Sequence, residues 1–465
     1  MEQLRTFASV SREWLLLIKE TPSFWRLAAS DLSLPLLRQV LSRSKGYMLD
    51  IVYSLQSSSE DIPIGQFTAL VVEHVHRWRS LVAWDYSRAC DIFQRLTYLS
   101  APMLEVLDCQ GMNQTVIDLF SGEAGRLRDV KLCGVCIPWE SKMLSGLQTL
   151  DLERVWIGSP SGDQLLAILA ASPGLIELKL YTFDLIEDAL PTPPQMVSVD
   201  LPMLETLVTK DIPNQLTYNL LSAIHIPRCT TFEISYSHES DSDIGLFNDP
   251  ALAHIKSLLI TWIRESPLVT ITWDNEGVTM DLSTPTGTAT LLFVTVTDDW
   301  CFPVPAGLSS ALEEAGPSEI NLIFACSTMP SSILQYLGPS QSCITKIYTI
   351  GLDEFGTSDL MQFLAEPTMV DGVAERPLLK LEYLSFEHCS LEREGLLEAI
   401  SSYSRYEGSG DDEQKGMSSA TVPQPFVPFH LKIVECDTEA ILTPEDIEAL
   451  RSILGDSNFT YVLDT

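Results

Sequence analysis

Apolar residues in this chain recur in a unit of the form apolar-x-x-apolar-x-apolar. The clearest copies are Leu127-x-x-Val130-x-Leu132, Leu147-x-x-Leu150-x-Leu152 and Leu175-x-x-Leu178-x-Leu180. The fullest is Leu381-x-x-Leu384-x-Phe386-x-x-Cys389-x-Leu391. Weaker copies start at Leu49, Leu81, Leu104, Leu204, Cys229, Ile255, Leu291, Ile320, Ile344 and Leu431. The run from Leu104 to Ile255 is the most regular, with spacings of 23, 20, 28, 29, 25 and 26 residues. The last two apolar positions of each copy are two apart, so both point into a core from one short strand. Stretches with helical apolar periodicity lie between copies. Asp163 to Ala171, closed by Ser172-Pro173-Gly174, and Leu396 to Ile400 are two of them.

A strand–helix unit repeating every ~29 residues matches the upper end of the leucine-rich-repeat period. The expected fold is therefore α/β: a leucine-rich-repeat solenoid, or horseshoe, with parallel strands on its concave face. Residues flanking the inward pair would line that face: Asp129, Lys131, Thr149, Asp151, Glu153, Glu177, Lys179, Tyr181, Thr206, Val208, Lys210, Tyr383, Ser385 and Glu387. This mixture of charge and tyrosine suits a protein partner better than a small molecule. The array is expected over 49–465, with two interruptions. Alternating residues on both sides of Asp274-Asn275-Glu276-Gly277, continuing through Ala289 to Val296, predict an antiparallel β insertion within 261–300. The polar, Gly/Ser-rich segment within 401–428 predicts a flexible loop, and Ser235 to Asp243 a smaller one.

Residues 1–48 have another pattern. Leu4, Phe7, Val10, Trp14, Leu15 and Ile18 recur at three- and four-residue spacing, predicting an amphipathic helix. A short second helix is expected after Thr21-Pro22, and a third from Leu34 to Leu41 with Pro35 near its start. The three together predict a helical cap on the first repeat.

Composition narrows the function classes. With 29 Lys+Arg against 63 Asp+Glu, the formal charge is −34, which opposes binding to nucleic-acid phosphates or anionic lipid. The longest apolar run near the start, Leu15 to Ile18, is too short for a secretion signal, and no stretch approaches the ~20 apolar residues of a membrane span. Ten cysteines, scattered apart from Cys133 and Cys136, then predict reduced thiols in a cytoplasmic or nuclear protein, where the sequons at Asn113 and Asn458 meet no glycosylation machinery.

Catalytic signatures are wanting: the chain has no phosphate loop, dinucleotide turn, nucleophile elbow or His-Glu-x-x-His helix. His74 and His76 would share one face of an extended strand, without a third ligand nearby. Cys133-Gly134-Val135-Cys136 imitates a redox motif, but it follows a strand, whereas a thioredoxin-type cysteine opens a helix; two structural cysteines are expected. The acidic pairs Asp298-Asp299 and Asp411-Asp412 fall in polar loops. No catalytic residue, metal or cofactor is expected.

The N-terminal residues resemble a known family. Val10-Ser11-Arg12-Glu13-Trp14, then Ile18, then Thr21-Pro22-Ser23-Phe24-Trp25 is similar to the second half of an F-box. Ser42-Arg43-Ser44-Lys45-Gly46-Tyr47-Met48-Leu49-Asp50-Ile51 resembles the segment after the F-box in many fungal F-box proteins with divergent leucine-rich repeats. The resemblance covers about 45 residues, and the family's repeat architecture would cover most of the remainder. It implies a non-enzymatic substrate-receptor subunit of an SCF-type ubiquitin ligase. Val10, Trp14, Ile18, Pro22, Phe24 and Trp25 would bind a Skp-type linker protein, and the concave face an unidentified protein substrate. The family's opening Leu-Pro-x-Glu-Ile/Leu helix has no counterpart after Met1-Glu2-Gln3-Leu4. The expectation is thus a receptor lineage with weakened linker docking. The alternatives are a stand-alone repeat scaffold and, disfavoured by the helical stretches, a parallel β-helix enzyme acting on polysaccharide.

Overall fold

A computed structural model describes residues 6, 9–54, 64–85, 91–111, 116–155, 161–183, 198–237, 247–274, 277–294, 307–326, 334, 337–365, 368–370, 373–375, 378, 380–405, 429–436 and 442–462. The chain divides into two compact units, Met1–Ile234 and Ser235–Thr465.

In the first unit the strands are β1 (Leu27–Ala29), β2 (Leu49–Ser54), β3 (Trp78–Asp85), β4 (Val106–Gly111), β5 (Asp129–Cys133), β6 (Thr149–Val155), β7 (Glu177–Phe183), β8 (Val199–Asp200), β9 (Thr206–Lys210), β10 (Ile224–His225) and β11 (Thr231–Ser237). The main sheet adds strands in chain order, β1-β2-β3-β4-β5-β6-β7-β9-β11, and every pairing is parallel. The pair β8–β10 forms a small parallel ladder beside it. Leu104, Leu127, Leu147, Leu175, Leu204 and Cys229 each sit two residues before a strand of this sheet and are buried, as the repeat spacing anticipates. Along the strands the inward residues Leu107, Val130, Leu150, Leu178 and Leu207 stack in register and are fully buried. The helix Gly162–Ala170 starts where Ser161 and Gln164 close a reciprocal capping box and buries Leu165, Leu166, Ile168 and Leu169.

In the second unit the strands are β12 (Val269–Asp274), β13 (Gly277–Thr284), β14 (Gly287–Val294), β15 (Ile320–Ala325), β16 (Ile344–Ile350), β17 (Thr368–Val370), β18 (Val373–Glu375), β19 (Tyr383–Glu387), β20 (His430–Val434) and β21 (Phe459–Val462). The order is β14-β13-β12-β15-β16-β19-β20-β21, with β12, β13 and β14 antiparallel to one another and all later contacts parallel. The pair β17–β18 is a separate antiparallel ladder. The architecture is thus mixed α/β with mostly parallel sheet, and among the described pairings neither unit's sheet closes on itself.

The antiparallel meander falls inside the 261–300 segment, whose first residues instead finish the helix Ala253–Glu265. Two repeat copies fail here. Ile255 lies in that helix, where Ile255, Leu259, Trp262 and Ile263 are buried at three- and four-residue spacing, a period the short repeat motif also satisfies. Leu291 lies in β14, an antiparallel strand. Of the 401–428 segment, residues 401–405 end the helix Arg393–Arg405 and the rest lie outside the described residues, as do 238–243, 298–299 and 411–412.

One turn recurs in both units. A residue with left-handed backbone directly precedes an inward side chain at Gly134/Val135, Arg154/Val155, Thr182/Phe183 and Asp211/Ile212, then at Gly351/Leu352, His388/Cys389 and Glu435/Cys436. Only two of these seven left-handed residues are glycine, so the other five carry a cost of roughly 1 kcal/mol each. Burial of the following side chain offsets it at Val155, Phe183, Ile212 and Cys389, whereas Cys436 is partly open to solvent.

The N-terminal segment departs from a continuous helix. Ser11 is extended (φ −157°) and caps the helix Arg12–Glu20 by accepting the Trp14 N–H at 3.2 Å. The Leu4-to-Ile18 stripe is therefore interrupted, with Leu4 and Phe7 outside the described residues. A 3-10 helix, Pro22–Trp25, and the helix Leu34–Arg43 follow. His74 and His76 do not share a strand face; they lie in the turn and 3-10 helix before β3, since Arg77 and Trp78 are drawn inward.

Near the C-terminal end, Asp446 joins two helices. Arg393 Nε and Nη2 donate to its oxygens at 2.7 and 2.8 Å, and the Thr443 N–H and hydroxyl each donate at 2.7 Å. These bonds hold the Asp446 carboxyl well below the usual carboxylate range. A depressed native pKa favours the folded state above the unfolded value of about 3.9, and that contribution disappears as pH falls toward the native pKa. Asp446→Asn should therefore lower Tm at neutral pH, with the gap to wild type narrowing steadily below about pH 5. Thermal melts across that range decide it; a gap independent of pH would mean that the charge contributes nothing.

Candidate partner-binding faces

Strand register places the expected face residues of the first unit on one side of its sheet, in three rows. The first row runs Asp50, Ser80, Val106, Asp129, Thr149, Glu177, Thr206 and Thr231. The second runs Val82, Asp108, Lys131, Asp151, Lys179, Val208 and Glu233. The third runs Trp84, Gln110, Cys133, Glu153, Tyr181 and Lys210. Adjacent parallel strands lie ~4.8 Å apart, so the second row alternates acid and base at that interval from Asp108 to Lys179.

Electrostatics divide this face. Lys179 pairs with Glu177 on its own strand, and Lys210 Nζ lies 2.6 Å from Glu233 Oε1 on the next. Arg79 holds Asp50 by two hydrogen bonds of 2.9 and 2.8 Å. Asp108 and Asp151 differ. Burial raises both carboxyl pKa values; Lys131 lowers each in part, and Lys179 also acts on Asp151. These half-buried carboxylates are incompletely compensated, so a basic group arriving opposite the second row would be favoured. Asp108 and Glu233 were not among the sequence candidates, although strand register puts them in the same row.

The second unit's face is aromatic. Tyr383 stacks on His430 with centroids 5.3 Å apart and planes at 6°, and Tyr348 lies 5.2 Å from Tyr383 on the other side. The His430 Nε2 is 3.2 Å from Thr460 Oγ1. Beside the rings, Lys432 Nζ lies 2.6 Å from Glu387 Oε1, which also accepts from Ser385 Oγ at 3.2 Å. The Lys432 hydrogen bond lowers the Glu387 pKa. Tyr383 and Glu387 were expected on this face; Tyr348, His430 and Lys432 were missed. Strand register sets Leu431 opposite Leu384 rather than opposite Leu381, so the Leu431 copy is three residues out of phase, and His430 takes the position of Tyr383.

The F-box-like residues split by burial. Ile18 and Trp25 are buried within this chain: Trp25 Nε1 donates to the Ile18 carbonyl at 2.6 Å, and the Arg43 guanidinium lies 4.6 Å over the Trp25 ring. Pro22 is half-buried. Val10, Trp14 and Phe24 are exposed at 65%, 45% and 40%, and Leu16 and Leu17 at about half, which leaves apolar surface on the helix available to a partner.

Cys133 ends β5, and burial, reinforced by Glu153, pushes its thiol up to about 11. Cys136 is buried beyond the Gly134 turn. A raised pKa opposes thiolate chemistry at Cys133. Among the described residues, no three His, Cys, Asp or Glu side chains are grouped as a metal site, and no helix is long and apolar enough to cross a membrane. The chain matches no protein-family model and no curated protein.

Proposed function

We propose that the chain is a non-enzymatic substrate receptor of the F-box type, a leucine-rich-repeat solenoid that presents a protein substrate to a cytoplasmic or nuclear ubiquitin ligase. The observation that carries this reading is the serial parallel sheet of the first unit. It adds a strand about every 25 residues and aligns charged side chains in rows across six to eight strands. Such rows offer a broad recognition surface, in keeping with the ~800 Å² per partner of an ordinary protein interface. The exposed Val10, Trp14 and Phe24 supply the apolar contact expected of linker docking, while Ile18 and Trp25 hold that segment in shape.

Co-purification with a Skp-type linker tests the proposal. Trp14→Ala combined with Phe24→Ala should weaken linker binding at least tenfold and leave circular dichroism unchanged, because both side chains are partly exposed. Charge reversal at Lys131 and Lys179 should leave linker binding intact and change the set of captured proteins. Failure of the wild-type chain to bind any such linker would overturn the ligase assignment in favour of a stand-alone repeat scaffold.

A further inference from the structure

Two cysteines stand at equivalent positions of neighbouring repeats. In the β19–β20 ladder Glu387 is paired with Val434, and two residues beyond each lies a cysteine, Cys389 and Cys436. The two turns have the same shape: His388 and Glu435 are left-handed, with φ of 54° and 50°. His388 Nδ1 lies 3.4 Å from Glu435 Oε2, and the His388 N–H donates to the Val434 carbonyl at 3.1 Å. The stacking that pairs the strands therefore continues through the turns to the cysteines. The same turn in the first unit pairs Val155 with Phe183 across β6 and β7.

The sulfurs share one environment. Cys389 Sγ donates to the Glu387 carbonyl at 3.3 Å, and Cys436 Sγ to the Phe386 and Val434 carbonyls at 3.4 Å each. Thr349 Oγ1 lies 3.4 Å from Cys389 Sγ. Parallel strands are ~4.8 Å apart, within the roughly 4.4–6.8 Å Cα separation that a disulfide spans. Cys389 is fully buried, whereas Cys436 is partly open to solvent.

We propose that Cys389 and Cys436 form a reversible dithiol–disulfide site, oxidised by a small disulfide of the glutathione class. Cys436, the sulfur partly open to solvent, attacks one sulfur of the oxidant and breaks its S–S bond, its proton passing to the thiolate released. Cys389, deprotonated, then attacks the Cys436 sulfur of the mixed disulfide and releases the second. The two thiol protons of the protein end on the two released thiolates. The protein loses two electrons and the oxidant gains them. The closeness of the two thiols supports the second step, since each acts on the other so that the Cys389 pKa is held down while that of Cys436 is pushed up. Cys109, Cys133, Cys229 and Cys326 are all raised chiefly by burial and share none of this.

Equilibration of the full chain in graded mixtures of reduced and oxidised glutathione tests the site. After acid quench, denaturation and alkylation, the mass should report a fall from ten labelled cysteines to eight. Peptide mapping should join Cys389 to Cys436, and dithiothreitol should restore ten labels. Cys389→Val and Cys436→Val should each hold at nine labels; valine suits the turn, which carries Val135 and Val155 elsewhere. Replacing Cys133 and Cys136 by serine should preserve the two-label fall. Ten labels at every ratio, a lone glutathione adduct on Cys436, or a disulfide joining other cysteines would overturn the proposal. The wild-type map alone is decisive if a valine variant fails to fold.

Discussion

Leu150→Ala, Leu178→Ala and Leu384→Ala should each lower the free energy of unfolding by ~2–5 kcal/mol. All three side chains have no exposed surface. Leu150 and Leu178 face one another across β6 and β7, and Leu384 lies between Ile347 and Leu431 across β16, β19 and β20. Truncation removes apolar contact and leaves a void that rigid neighbouring strands cannot collapse to fill. Because Leu150 and Leu178 touch, the double variant should depart from the sum of the single losses, whereas Leu150 with Leu384 should be additive. Ile176→Ala, at a residue 37% exposed, is the control and should cost much less. Denaturant unfolding, followed by a probe for each unit, measures all of these. Unchanged midpoints at the three leucines would refute the strand register.

The strands were legible where their signal is local. Leu127, Leu147 and Leu175 announce a strand two residues later because each precedes an inward pair at period two, and a pleated strand buries alternate side chains. The meander around Asp274 and Gly277 was legible for the same reason. Ile255 was misread because a six-residue apolar pattern fits both a strand and one face of a helix; only the continuation to Trp262 and Ile263 separates them. The break at Ser11 was hidden inside a helical periodicity, although a serine at the head of an apolar-periodic run is a candidate cap. The faces were legible less evenly. Charged residues flanking each inward pair were found from one strand at a time. The ring stack of Tyr348, Tyr383 and His430 arises only when strands distant in sequence become neighbours. Sequence periodicity also cannot distinguish Trp14, which is exposed, from Trp25, which fills the chain's own interior.

Arg77 marks the other limit, a charged residue that the fold takes inward. It is only 7% exposed and precedes β3, whose first residue, Trp78, is buried and donates from Nε1 to the Val71 carbonyl. Its guanidinium sits at the C-terminal end of the helix Leu34–Arg43. Nη2 donates to the Leu41 carbonyl at 3.0 Å; Nη1 donates to Ser44 Oγ at 3.0 Å, to the Tyr47 carbonyl at 3.3 Å and to the Lys45 carbonyl. Lys45 is left-handed (φ 50°), so the turn leaving the helix aims its carbonyls at one point. The Leu41 carbonyl is one of those that the helix end leaves without an intrahelical partner, and it also accepts from Ser44 Oγ at 3.0 Å; the Lys45 and Tyr47 carbonyls belong to the turn beyond, and a cation there also meets the negative end of the helix dipole. Arg77→Met keeps the aliphatic stem but removes every donor. It should cost about 3 kcal/mol, from charged hydrogen bonds worth roughly 1.5–3 kcal/mol and the desolvated carbonyls left behind. Arg77→Lys should recover only part of this, because one ammonium cannot match the fork that spans Leu41 and Tyr47. The loss should appear in the first unit's unfolding transition, with hydrogen exchange accelerated in residues 37–47. A full recovery by lysine would reduce the role to charge alone, and an unaltered transition in both variants would remove Arg77 from the framework of the helix end.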